Sequence, residues 1–119
     1  MDRPSAKARA VLDIVETIPA GCVMSYGDVA ACTGLGSARF VGHVLARWGD
    51  GVPWQRVVMA DGSCARHLAL EQLALLRSER APLAVGGGRV DMARARFTAR
   101  RHGRRPSNVP HQEENPCRT

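Results

Sequence analysis

Apolar residues near the start of the chain recur at three- and four-residue intervals. Ala8, Val11, Leu12, Val15 and Ile18 share one face, with Arg9, Asp13 and Glu16 on the other. This spacing predicts an amphipathic helix from Ser5 to Ile18, stopped by Pro19-Ala20-Gly21. Cys22-Val23-Met24 reads as a short extended link.

Ser25 and Asp28 have the spacing of a capping box, so a short helix is expected from Tyr26 to Thr33, ending at Gly34. After the turn Gly34-Leu35-Gly36, Ser37 can cap a longer helix to about Trp48, with Phe40, Val41, Val44 and Leu45 as its apolar positions. Short helix, glycine turn and longer helix together form a helix-turn-helix pattern, which helical hairpins of ordinary bundles share.

Beyond Gly49-Asp50-Gly51 the pattern shortens. Val57-Val58-Met59 predicts an extended piece closed by a turn at Asp61-Gly62. A leucine-rich helix is expected from Leu68 to Arg80, with Leu68, Leu75 and Leu76, or Leu73 and Leu76, able to share a face. Val85 to Val90, with Gly86 to Gly88, reads as a loop or hairpin tip, and Asp91 can cap a last turn from Met92 to Phe97. From position 98 apolar periodicity is lost. Residues 1–97 are expected to form one domain and 98–119 a basic, disordered tail with Arg100, Arg101, Arg104 and Arg105. The fold class is mainly α, with winged helix-turn-helix character and few short strands.

Composition adds a bias toward a polyanionic partner. The 119 residues carry 17 Lys+Arg against 11 Asp+Glu, a net charge of +6, and Lys7 is the single lysine. Arginine makes the forked contacts to phosphate and base edges that lysine cannot. Of the apolar residues 17 are alanine, which keeps the core modest. No run approaches the roughly 18–20 apolar residues of a membrane span, and the first residues lack the apolar core of a secretory signal. Cys22, Cys32, Cys64 and Cys117 show neither C-x-x-C spacing nor a regular framework, so reduced thiols and a cytoplasmic location are expected. Cys64 and His67 could join Cys22 or Cys32 around a metal, but structural zinc sites usually show two close ligand pairs. No metal and no cofactor is expected.

Several segments in order carry a family resemblance. They are Ile18-Pro19-Ala20-Gly21, Val23 to Ala30, Gly34, Ser37-Ala38-Arg39-Phe40-Val41-Gly42, Val52-Pro53-Trp54-Gln55-Arg56-Val57-Val58, Gln72 to Glu79 and Arg89 to Phe97. Together they resemble the DNA-binding domain of O6-alkylguanine-DNA alkyltransferases over residues 5–97. The departure lies in the Pro-Cys-His-Arg-Val motif of that family. Trp54 stands at the alkyl-accepting cysteine and Gln55 at the histidine that deprotonates it. An indole cannot accept an alkyl group by displacement, and an amide cannot serve as a general base near neutral pH. Glu79 matches the acid of the same network. The chain therefore resembles the alkyltransferase-like proteins, which bind alkylated guanine without repairing it.

The resemblance implies duplex DNA with O6-alkylguanine as partner, docked through the minor groove with the lesion flipped out. It implies Arg39 as the side chain inserted into the duplex, and a lesion pocket of Tyr26, Trp54 and Val57. Pro53, Gln55 and Arg56 would support the motif, and Ser37, Ala38 and Gly42 would form the helix face that meets DNA. Phe40 is expected to turn toward the core, and His43 to meet phosphate or solvent. The wall of the pocket between Ser63 and Leu68 is left open. Nucleotide excision repair proteins are the implied downstream partners, and the protein would act as a monomer, nucleoid-associated when bound. A sequence-specific helix-turn-helix regulator, or a transferase using Cys22, Cys32 or Cys64, are the competing readings.

Overall fold

The computed structural model describes residues 3–34, 37–98 and 117. Its first helix, α1 (Ala6–Glu16), starts where Ser5 accepts a hydrogen bond from the Ala8 N–H at 3.1 Å. Ala8, Val11, Leu12 and Val15 are buried, as their spacing requires, and Ile18 is buried just beyond the helix. The strand β1 (Met24–Ser25) leads directly into α2 (Tyr26–Thr33). Both halves of the capping box form: the Asp28 N–H donates to Ser25 Oγ at 3.0 Å, and the Ser25 N–H donates to Asp28 Oδ2 at 3.2 Å. Gly34 ends α2 in the left-handed region, at φ 68°.

Ser37 caps α3 (Ala38–Trp48) through the Phe40 N–H, and Val41 and Val44 point into the core. Phe40 and Tyr26 pack against that core while staying partly exposed. Two 3-10 turns, Gly49–Gly51 and Trp54–Arg56, carry the chain to β2 (Val57–Val58). This strand lies parallel to β1, with Met24 opposite Val57 and Ser25 opposite Val58. After α4 (Ala69–Ser78), Leu83 and Val90 pair antiparallel across the Gly86–Gly88 tip, forming the wing. The last helix, α5 (Met92–Ala95), is capped by Asp91. Thus α1, α2 and α3 enclose one apolar cluster, and β2, α4 and the wing enclose a second around Leu76.

Four expectations change. In α4 only Gln72 and Leu76 are buried, and a glutamine instead of a further leucine completes the inward face. Its C-terminus stops at Ser78 because Arg80 takes φ 63°, the single non-glycine in that region among the described residues. The last helix ends at Ala95, since Arg96 leaves it to bridge Val23, with the Phe97 N–H donating to the Val23 carbonyl at 2.7 Å. Finally, Cys22 and Cys117 form a disulfide across 95 positions, both buried, where the sequence suggested unpaired thiols. No local spacing could signal a pair so distant. Cys117 is therefore docked on the domain, and its carbonyl accepts from the Thr98 N–H. The arginine cluster of the expected tail lies outside the described residues.

Candidate functional site

The segment Pro53-Trp54-Gln55-Arg56-Val57 is fixed from both sides. Pro53 opens the 3-10 turn, and its carbonyl accepts from the Arg56 N–H at 3.0 Å. Gln55 turns inward and donates from Nε2 to Glu79 Oε2 at 2.7 Å. Arg56 grips the same carboxylate with Nε and Nη2, at 3.0 and 2.8 Å. Its Nη1 donates to the Ile18 carbonyl at 2.8 Å. One guanidinium thereby joins the end of α1, the motif turn and the end of α4. Burial alone would raise the Glu79 carboxyl. The hydrogen bonds from Arg56 and Gln55, the Arg56 charge and the Gly21 backbone outweigh it and hold the group below the ordinary glutamate value.

Gln72 supports the same turn from beneath. Fully buried, it donates from Nε2 to the carbonyls of Gln55 and Val57, at 3.0 and 2.8 Å, and accepts from the Ala65 N–H at 3.1 Å. Gln55 lies in the 3-10 turn and Val57 in the two-residue strand after it, and one amide satisfies both carbonyls. Its functional weight was not read from the sequence. The available signal was a glutamine four residues before Leu76, on the face that has to be inward.

Above this scaffold lies a cavity of about 350 Å³, within the size range of small-ligand sites, about 300–1,000 Å³. Tyr26 at the start of α2, Gly42 and Leu45 on α3, and Trp54 line one part of it. Ala65, His67 and Leu68 close another, which supplies the wall the sequence left open. At Gly42 an added Cβ would meet the Tyr26 ring at 4.0 Å, so the missing side chain keeps the space beside the tyrosine clear. Burial, and secondarily the charge of a nearby Cys64, push the Tyr26 phenol above its ordinary value.

The structure brings Tyr26, Trp54 and Gly42 together in this cavity. It removes Val57 from it: that side chain is fully buried in the core under β2, and only its backbone carbonyl acts, toward Gln72. The β pairing with Met24 turns the valine inward. Ser37, Ala38 and Arg39 are exposed at the start of α3, and Arg39 lies one helical turn before Gly42. His43 is exposed on the same helix. Arg96 pairs with Asp28 through Nε at 2.8 Å, tying the segment after α5 to the start of α2, an ion pair the sequence did not reveal.

Chemically the cavity offers flat aromatic surface and little reactive apparatus. Trp54 has no nucleophilic atom, and Gln55 spends its amide on Glu79. Cys22 is oxidised. Burial raises the Cys64 thiol, which lowers its thiolate fraction. Among the described residues no group of three or more His, Cys, Asp or Glu side chains could hold a metal ion.

Comparison with known proteins gives this geometry a context. Residues 6–81 match the family model of the 6-O-methylguanine DNA methyltransferase DNA-binding domain. The chain is 37% identical over 105 residues to the DNA base-flipping protein of Escherichia coli K12, covering 82% of this chain and 78% of that one. It is 36% identical over 85 residues to a bifunctional methyltransferase/endonuclease of Picrophilus torridus, covering 67% of this chain and 28% of that one. Among solved structures it resembles S. pombe Atl1 in complex with damaged DNA containing O6-carboxymethylguanine. That match has a TM-score of 0.70 and 24% identity, and covers 82% of this chain and all of the other.

Proposed function

Because the chain belongs to the family of the 6-O-methylguanine DNA methyltransferase DNA-binding domain, as an alkyltransferase-like member, we propose that it binds O6-alkylguanine in duplex DNA without transferring the alkyl group. The observation that carries this reading is Trp54. It occupies the acceptor position of the resembled motif and lines the cavity beside Tyr26. A flipped base entering there would meet an indole face where the transferases have a thiol. A base–aromatic contact of this kind contributes roughly 1–3 kcal/mol.

Docking uses the start of α3. Ser37 and Ala38 are small enough for close approach to a minor groove, and Arg39 enters the duplex where the lesion has left, its planar guanidinium facing the orphaned base. Gly42 follows one turn later and leads into the cavity. Unstacking costs a few kcal/mol, offset by pocket burial and phosphate contacts. With no alkyl acceptor the lesion stays in the DNA, and the bound, bent duplex marks it for nucleotide excision repair by a single protein copy.

The deciding experiment titrates matched duplexes with and without O6-methylguanine at two salt concentrations. Tighter binding of the lesion duplex, with affinity falling steeply with salt, is the expected result. Equal affinity for both duplexes overturns the reading. A parallel incubation with DNA carrying a labelled O6-methyl group is expected to leave the protein unlabelled.

A further inference from the structure

The outer face of α4 and the tip of the wing carry the two most exposed large apolar side chains among the described residues, Leu70 at 86% and Val85 fully exposed. In α4, Gln72 and Leu76 are the buried side chains, and Glu71 and Gln72 reach the cavity. At 3.6 residues per turn, Leu70, Ala74 and Arg77 fall together on the opposite side of the helix, and all three are exposed. Arg77 joins this face to the wing, because its Nη2 donates to the Gly87 carbonyl at 3.5 Å. The next residue, Gly88, has no left-handed φ, and a Cβ there would meet nothing within 4 Å. Neither its backbone nor the space around it in the domain calls for a glycine. The missing side chain leaves the main chain of the wing tip open to close approach.

We propose that this face docks an acidic protein segment that carries apolar side chains. Charge sets the sign of the partner. Arg77 on the face and Arg80 just past the helix end have no acidic partner among the described residues. Of the carboxylates near them, Glu79 is held by Arg56 and Gln55, Glu71 turns to the cavity, and Asp61 pairs with Arg89 at 3.8 Å. The face is therefore cationic around Leu70 and Val85. A phosphate backbone would be served by the arginines alone and gains nothing from a bare leucine and valine. Protein interfaces combine an apolar centre with arginine. A second copy of the chain does not fit, because an isologous contact sets the arginines of both copies against one another. A partner held here sits on the far side of α4 from the cavity, whatever the cavity binds.

The test titrates the isotope-labelled full chain with a synthetic helical peptide of glutamates bearing leucines three and four residues apart, followed by amide chemical shifts. The amides of Leu70, Ala74, Arg77 and Val85 to Arg89 should move, and affinity should fall as salt rises. Leu70→Ser/Val85→Ser should weaken binding about tenfold, and Arg77→Gln/Arg80→Gln about two- to fivefold with a flatter salt dependence. All four side chains are exposed, so both variants should keep the wild-type melting temperature. Three results with the wild-type chain overturn the proposal, whether or not a variant folds: no shifts on this face, equal binding of the same peptide with serines in place of leucines, or movement of the same amides by undamaged duplex DNA. Self-association through this face, seen as concentration-dependent sedimentation that Leu70→Ser/Val85→Ser abolishes, overturns it as well.

Discussion

Gln55 donates its side-chain amide to Glu79 at 2.7 Å, while Arg56 binds both oxygens of the same carboxylate. The acid of the resembled catalytic network is thus retained as a structural anchor. Its removal leaves a guanidinium only 18% exposed without its counter-ion. Glu79→Ala is expected to cost about 2–4 kcal/mol, read as a lower urea midpoint at unchanged slope. A loss below the error of the measurement would show that the network is idle.

The same carboxyl predicts an acid limb. Its folded value lies below its ordinary one of 4.5, so the stability it contributes is complete above that value. It is lost as the pH falls below 4.5 and through the lower folded value. Asp28 behaves alike: burial raises it, but Arg96 and the Ser25 cap lower it further. Glu79→Gln should flatten the decline of stability below about pH 4.5, followed by thermal melts across the acid range. A variant whose acid limb overlays the wild type would contradict this.

Asp28 joins a capping box and an ion pair whose arginine side chain is 58% exposed. Exposed pairs contribute little, and caps about 1 kcal/mol. Asp28→Ala should therefore cost about 1–2 kcal/mol, and Arg96→Ala less than about 1 kcal/mol. Equal losses in denaturant titrations would place the energy in the ion pair instead.

Reduction should destabilise the domain. The Cys22–Cys117 disulfide closes a loop of 95 positions, and Cys117→Ser is expected to cost about 2–4 kcal/mol. Non-reducing peptide mapping should recover the linked pair, and wild-type protein in reductant should melt with the variant. An unchanged melting temperature in both would argue against the bond.

Binding separates two roles. Trp54→Ala should cut the preference for O6-methylguanine over guanine by roughly 1–3 kcal/mol, measured by competition titration. Arg39→Ala should weaken lesion binding and lower the fluorescence of a flipped reporter base. Unchanged lesion preference in both variants would sink the pocket assignment.

Much of the helical framework is legible in the sequence alone. The helical spacing of Ala8 to Val15, the Ser25 and Ser37 caps and Gly34 are local signals, and local geometry obeys them. The β1–β2 pairing was not legible, because two residues on each side carry no alternation to read and their register is set by the core. Val57 came to the pocket through the resemblance, by its backbone or its methyls; its methyls are buried in the core, and its carbonyl accepts from Gln72. Gln72, the Arg96–Asp28 pair and the disulfide all join positions far apart in sequence. Trp54 and Tyr26 were legible through a motif, while Asp50, His67 and Glu71 belong to no motif and emerged only when the cavity closed around them.

The bracing of the motif turn bears on how a base would be received. The Gln55 side chain is held by Glu79, its carbonyl by Gln72, and Arg56 by three acceptor atoms. Trp54, one peptide bond away, thus has its backbone immobilised before any ligand arrives. Little conformational freedom remains for that wall to lose on binding. Discrimination at the indole should therefore rest on fit to a preorganised surface, with the adjustable part of recognition left to the DNA.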